Sequence, residues 1–225
     1  MPESKFKKIL VFLVIGYCMS ACNTNPASPE TTIPAIYPIR NAKDIMDARK
    51  SLFVNYPTYR EFSVCYGNTC RYIDTLELDG EEWSRIQSVF TVPAGTADLE
   101  RQHISQAIAV FESMVGKKTG TSNDMGENFA GLGLDGQMDC VDEATNTSVY
   151  LAILQSEKLL KWHRVQSRVS RGIASLQAPH FTAVIMDIEN STEYAVDSWF
   201  LANGNPPFVV PLSLWRKGWK PGDPY

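Results

Sequence analysis

The chain has little that would suit a polyanion and little that would suit a bilayer interior. Its 21 lysines and arginines are outnumbered by 25 aspartates and glutamates, a formal net charge of −4. Phosphate backbones are bound by clustered cations, so this balance argues against a nucleic-acid partner. Beyond residue 21 no apolar run reaches the ~20 residues that a spanning helix needs. No internal repeat is present, and low complexity is confined to a proline-rich stretch near the N-terminus. Histidine is scarce, with three in all, and there are five cysteines. Each of these residues can therefore be weighed individually.

What the N-terminus does have is the layout of an export signal. Lys5, Lys7 and Lys8 precede an unbroken apolar stretch from Ile9 to Ile15, too short to cross a membrane but right for a signal core. Met19, Ser20, Ala21 and Cys22 resemble the lipobox at which lipoprotein signal peptidase cuts, making Cys22 the expected acylated N-terminus. An ordinary secretory cleavage near Ala21 is the alternative. Several acyl chains, at roughly 0.8 kcal/mol per buried methylene, would anchor the protein firmly to a membrane. Asn23 differs from the aspartate that marks inner-membrane retention, so an outer-membrane site facing the periplasm is expected. Residues 22–40, broken by Pro26, Pro29 and Pro34, read as lipidated end and tether. Residues 41–225 are left as one domain. Losing residues 1–21 removes three lysines and one glutamate, so 18 positive charges face 24 negative ones.

In an oxidising compartment Cys65, Cys70 and Cys140 remain once Cys18 leaves with the signal and Cys22 carries lipid. Gly67-Asn68 suits the centre of a primed hairpin turn. That register sets Cys65 opposite Cys70 as a non-hydrogen-bonded pair, close enough for a disulfide. Cys140 is then the odd thiol, either buried and inert or kept for its reactivity.

The periodicity predicts an α+β domain. Ile45, Ala48 and Leu52 suggest a short helix over 41–53, and residues 59–78 read as a hairpin. Asp79 with Glu82 opens a helix in the manner of a capping box, and Ile104, Ile108, Phe111 and Val115 mark a helix from Asp98 that Gly116 closes. A glycine-rich stretch, 117–138, leads to a helix expected from Cys140 to Leu160. Strands follow at 163–169, 180–189 and 193–200, then at 208–214, with Trp215 and Trp219 as an aromatic lid.

A helix start favours a cysteine nucleophile, because its free N–H groups and dipole stabilise thiolate. Amide chemistry also wants an imidazole held in one tautomer by a third polar group. His180 opens one strand and Asp197 ends the next, and a turn at Asn190-Ser191-Thr192 brings them together. His163 is expected to satisfy the last carbonyls of the preceding helix, and His103 to lie on a solvated face. The order Cys140, His180, Asp197, with Asp139-Cys140-Val141-Asp142-Glu143-Ala144 at a helix start and Val196-Asp197-Ser198-Trp199 at a strand end, resembles the bacterial transglutaminase-like cysteine proteinases over residues 98–219. Within that group the likeness is nearest to periplasmic proteases that clip adhesins in a calcium-dependent way. The resemblance implies a papain-like core, with the nucleophile helix packed on an antiparallel sheet. It makes Cys140 the nucleophile, His180 the base and acid, and Asp197 its orienter. Glu143 and Met138 stand where those proteases have an aromatic residue and a glycine.

An oxyanion hole needs two donors. The N–H of Cys140 is one candidate and the Gln137 side chain another, with Asn128 a weaker third; Gln137 bonding its own loop is the alternative. Asp135, Asp139, Asp142 and Glu143 crowd the nucleophile. Capping explains Asp139 and Asp142, while a calcium ion held by them would explain the whole cluster. The expected activity is cleavage or transfer of an amide in an envelope protein or peptide through a Cys thioester. A peptidoglycan amidase or a non-catalytic binding lipoprotein are the rival readings. Labelling with radioactive palmitate in a host that processes lipoproteins should mark the wild-type chain and spare Cys22→Ala; equal labelling of both contradicts the assignment.

Overall fold

The computed structural model describes residues 52–128, 133–172 and 179–224. The export signal, Cys22, the tether and nearly all of the helix expected over 41–53 lie outside them. What is described is mixed α+β with two antiparallel sheets. Strands β1 (Phe62–Tyr66) and β2 (Tyr72–Leu76) form a hairpin. Helices α1 (Gly80–Val89), α2 (Ala97–Thr119) and α3 (Cys140–Ser156) follow. Then come β3 (His163–Arg171), β4 (His180–Asp187), β5 (Glu193–Asp197) and β6 (Phe208–Pro211), side by side in that order, and the single-turn helix α4 (Leu212–Trp215). Among the described residues no helix is long and apolar enough to cross a membrane.

Helix starts are set by side-chain acceptors for otherwise unpaired N–H groups. Asp79 accepts from Glu81 and Glu82, and Glu82 accepts from the Asp79 N–H, so α1 opens as the sequence predicts. Thr96 caps α2, which runs past Gly116 to a left-handed Gly120. Gly116 does not end the helix. Its role is contact: a Cβ there would come within 2.8 Å of the Asn203 side chain. Helix α3 starts where predicted but stops at Ser156, four residues early.

The sheet separates two apolar regions. Ala183, Ile185 and Val196 face the main core, where α2 and α3 meet and Phe111 stacks on Tyr150 at 4.7 Å between centroids. Val184, Ala195 and Val210 face a second cluster built from Trp199, Phe200, Leu212, Trp215 and Trp219. A fully buried large side chain contributes on the order of 1.5–3 kcal/mol. Trp215 is therefore an interior residue, not part of a lid: it is fully buried. Strand β5 ends at Asp197 rather than at residue 200, and the strand expected over 208–214 turns into α4 after Pro211.

The hairpin carries another correction. Tyr66 pairs with Tyr72 and Cys65 with Ile73, so residues 67–71 form a five-residue loop. Cys70 sits in that loop, yet it is bonded to Cys65, with Cα atoms 4.7 Å apart. Residues 67–70 all have positive φ, from 53° to 84°, which curls the loop back and presents its N–H groups on one side. Asn146 on α3 holds the hairpin from the other side. Its Oδ1 accepts from the Cys65 N–H and its Nδ2 donates to the Cys65 carbonyl, both at 2.8 Å and buried. Asn146→Ala strands two buried backbone groups and should cost about 2–5 kcal/mol, measured as a lower urea midpoint; a midpoint unchanged from wild type contradicts this coupling.

Candidate active site

The start of α3 is where the acidic sequence acquires a structural reason. Asp139 Oδ1 accepts from the Val141 and Asp142 N–H groups at 2.9 and 3.0 Å, and its Oδ2 accepts from Thr69 at 2.8 Å. Asp142 Oδ1 accepts from the Cys70 N–H at 2.5 Å. Its Oδ2 accepts from Asn68 at 2.7 Å and from Asp139 at 3.3 Å. These carboxylates cap the helix and fasten the disulfide loop to it. All four oxygens face N–H groups, so capping and attachment of the loop account for Asp139 and Asp142 without a calcium ion. Asp135 is exposed, and Glu143 turns into the core. Cys65, Cys70 and Asp142 do lie within 4.8 Å of one another, but both sulfurs are committed to the disulfide.

Cys140 is the first residue of α3 and is partly exposed. Its Sγ lies 3.8 Å from the Pro179 carbonyl oxygen, and the Phe181 N–H is directed at it. The sulfur thus touches the chain on either side of His180. His180 uses Nε2 on Asp197 Oδ2 at 2.7 Å, with Asp197 almost wholly buried. Register explains the meeting. Ala183 pairs with Val196, so the next step sets Thr182 across from Asp197, and His180 shares that face two residues on. The expected triad residues are brought together at one end of the sheet. Trp199, Phe200 and Trp215 surround the imidazole, with centroids 4.8, 5.3 and 5.5 Å away. The Trp215 Nε1–H donates to Asp197 Oδ2 at 2.6 Å.

Burial pushes the Cys140 thiol up to about 12, with the charges of Asp139 and Asp197 adding to it and the Phe181 N–H opposing. The helix start does not by itself deliver the low-pKa thiolate that the sequence suggests. Burial thus favours the neutral thiol over the thiolate at this sulfur.

Gln137, the candidate oxyanion donor, has its amide engaged elsewhere. Nε2 donates to the Asn123 carbonyl at 2.9 Å, and Oε1 accepts from Met125 N–H and from Asn128, the weaker candidate. The pair braces the loop before α3. That loop lies against residues 199–203, where Glu127 N–H bonds the Trp199 carbonyl at 2.8 Å. A Cβ on Gly126 would fall 2.5 Å from the Phe200 carbonyl oxygen. The Cys140 N–H remains as a donor at the sulfur.

The other two histidines depart from expectation. His163 opens β3 and is buried, its Nδ1 2.9 Å from Glu100 Oε1 and its Nε2 3.3 Å from Arg101. Glu100 also accepts the N–H groups of Lys161, Trp162 and His163, so this pair ties the α3–β3 turn to α2. His103 packs edge-on against Phe90 at 5.7 Å, with Nδ1 buried.

Sequence reasoning missed a buried carboxyl group behind the site. Glu112 and Asp124 join Glu143, each 3% exposed. Glu112 accepts from the Gly204 N–H at 3.0 Å and from Ser198, and Ser198 is 2.6 Å from Thr147. Asp124 accepts from the Met138 N–H at 2.7 Å and shares a hydrogen bond with Glu143. Burial, reinforced by mutual repulsion, raises Glu112 to about 8 and Asp124 to about 6, and Glu143 well above the carboxylate range. Glu112 and Asp124 are separated by a helix end and a turn, so nothing in spacing announced them.

No protein-family model, curated protein or solved structure matches the chain.

The raised carboxyls fix the sign of a pH effect. The unfolded chain ionises these groups above about pH 4.5, while the folded chain keeps protons on them to higher pH. The folded state then binds more protons, so stability falls as pH rises through that window, up to about 8 for Glu112. Melting should be lower at pH 8 than at pH 5.5. Glu112→Gln should flatten that slope and raise the pH 8 midpoint by roughly 2–4 °C for each 1 kcal/mol recovered. A midpoint that climbs with pH in both proteins would contradict the assignment.

Proposed function

We propose that the chain is a thiol-dependent amide hydrolase or acyltransferase of transglutaminase-like, papain-like type, acting on a protein or peptide of the cell envelope from a lipid anchor at Cys22. One observation carries the reading: the Cys140 sulfur lies against the residues flanking His180, whose ring is bonded to a buried Asp197. A carboxylate at Nε2 makes that nitrogen the proton-bearing one and leaves Nδ1 as the base.

The chemistry follows from these positions. His180 Nδ1 takes the thiol proton as sulfur attacks the substrate carbonyl, which circumvents the high resting pKa of Cys140. The tetrahedral oxyanion meets the Cys140 N–H at the start of α3, where the helix dipole favours negative charge. Imidazolium, steadied by Asp197, returns the proton to the departing amine and leaves a thioester on Cys140. Water, or an acceptor amine, then attacks the thioester with His180 again as base.

Iodoacetamide applied to the folded, unreduced protein should label Cys140 and spare Cys65 and Cys70. His180→Ala should slow that labelling at pH 7 by about tenfold or more. Asp197→Asn should leave melting near wild type but cut turnover by roughly 10²–10⁴. Peptide mapping checks the first expectation and rates the others; unchanged rates in both variants contradict the triad.

A further inference from the structure

The Asp197 carboxylate holds two side-chain donors on one oxygen. Asp197 Oδ2 accepts from His180 Nε2 at 2.7 Å and from Trp215 Nε1 at 2.6 Å. Trp215 is fully buried, and Asp197 is 1% exposed. Packing alone would be served by any large apolar side chain, whereas an indole N–H buried here needs an acceptor, and the acceptor is the oxygen on which His180 depends. Strand pairing brings this about. Asp197 is opposite Phe208 on β6, and the chain leaving β6 turns at once into α4, whose last residue is Trp215.

Arg171 secures the indole. Its guanidinium lies 4.5 Å above the Trp215 ring and donates to the Trp215 carbonyl. Arg171 is also the cross-strand partner of His180. The end of β3 therefore holds the base through backbone pairing and the orienter's second donor through a side chain.

We propose that Trp215 is a positioning residue: its indole N–H, locked by Arg171, fixes the Asp197 carboxylate and shares the oxygen that holds His180. The inference rests on the triad reading above and adds to it the device that sets the strength of the His–Asp bond. A donor that satisfies carboxylate charge without a proton weakens the carboxylate's pull on imidazolium. The shared oxygen is thereby held in one place, and with it the His180 ring that bonds to it.

With three histidines in the chain, NMR can follow the His180 ring directly. The titration is recorded in the full-length Cys140→Ser protein, which removes coupling to the thiol. Replacing Trp215 with 3-benzothienylalanine, a near-isostere lacking the N–H, should raise the His180 midpoint by about one pH unit and leave His163 in place. Trp215→Phe should shift it the same way, and Arg171→Met by less. A His180 midpoint unmoved by the isostere, or moving together with His163, overturns the inference. Asp197→Asn in the same background should lower the His180 midpoint. If Asp197→Asn acts and the isostere does not, only the role of Trp215 fails; if neither acts, the triad fails with it.

Discussion

Two carboxylates at the start of α3 accept six N–H groups, three from their own turn and three from the curled disulfide loop. The position of Cys140 follows from this clamp. A helix start is otherwise its most easily frayed part, and here it is held by a loop that is itself closed by Cys65–Cys70 and pinned by Asn146. Positive φ at residues 67–70 is what points the loop's N–H groups inward. The disulfide closes a ring too small to stabilise the whole fold much through chain entropy. Its value is that it keeps those donors aimed at the helix.

The clamp has an electrostatic consequence for the chemistry. It sets Asp139 beside the sulfur, and burial with that charge keeps Cys140 a thiol. In the proposed mechanism such a thiol needs an imidazole to take its proton, so the delivery of His180 matters as much as the position of Cys140. The sheet provides it by register, and Trp199, Phe200 and Trp215 pack around the ring. Behind Cys140, burial raises the pKa of three carboxyls that share hydrogen bonds where buried acids usually have salt bridges.

Much of this was legible in the sequence because it rests on local rules. Capping boxes at Asp79 and Asp139, the helix start at Cys140, and the two-residue periodicity of β4 and β5 all depend on near neighbours. The disulfide was legible, but its loop was not: a Gly-Asn turn with a two-residue loop competes with a five-residue curl, and the curl won because Asp139 and Asp142 satisfy its N–H groups. Gly116 read as a helix stop and proved a contact point for Asn203. The buried roles of Trp215, Glu112 and Asp124 depend on partners 14 to 92 residues away, pairs that no periodicity encodes. Gln137 read as an oxyanion donor from its residue type and nearness in sequence to Cys140, but the loop it braces engages its amide.

The central claim is that Cys140 forms a thioester with the help of His180. Intact-mass measurement after incubation with a panel of peptidyl acyloxymethyl ketones, which trap a cysteine working with an imidazole, tests it most directly. A single adduct on Cys140 in the wild type, absent from His180→Ala, is the predicted result. An adduct that forms equally well in His180→Ala, or no adduct on Cys140 while the thiol remains accessible to iodoacetamide, would contradict the account.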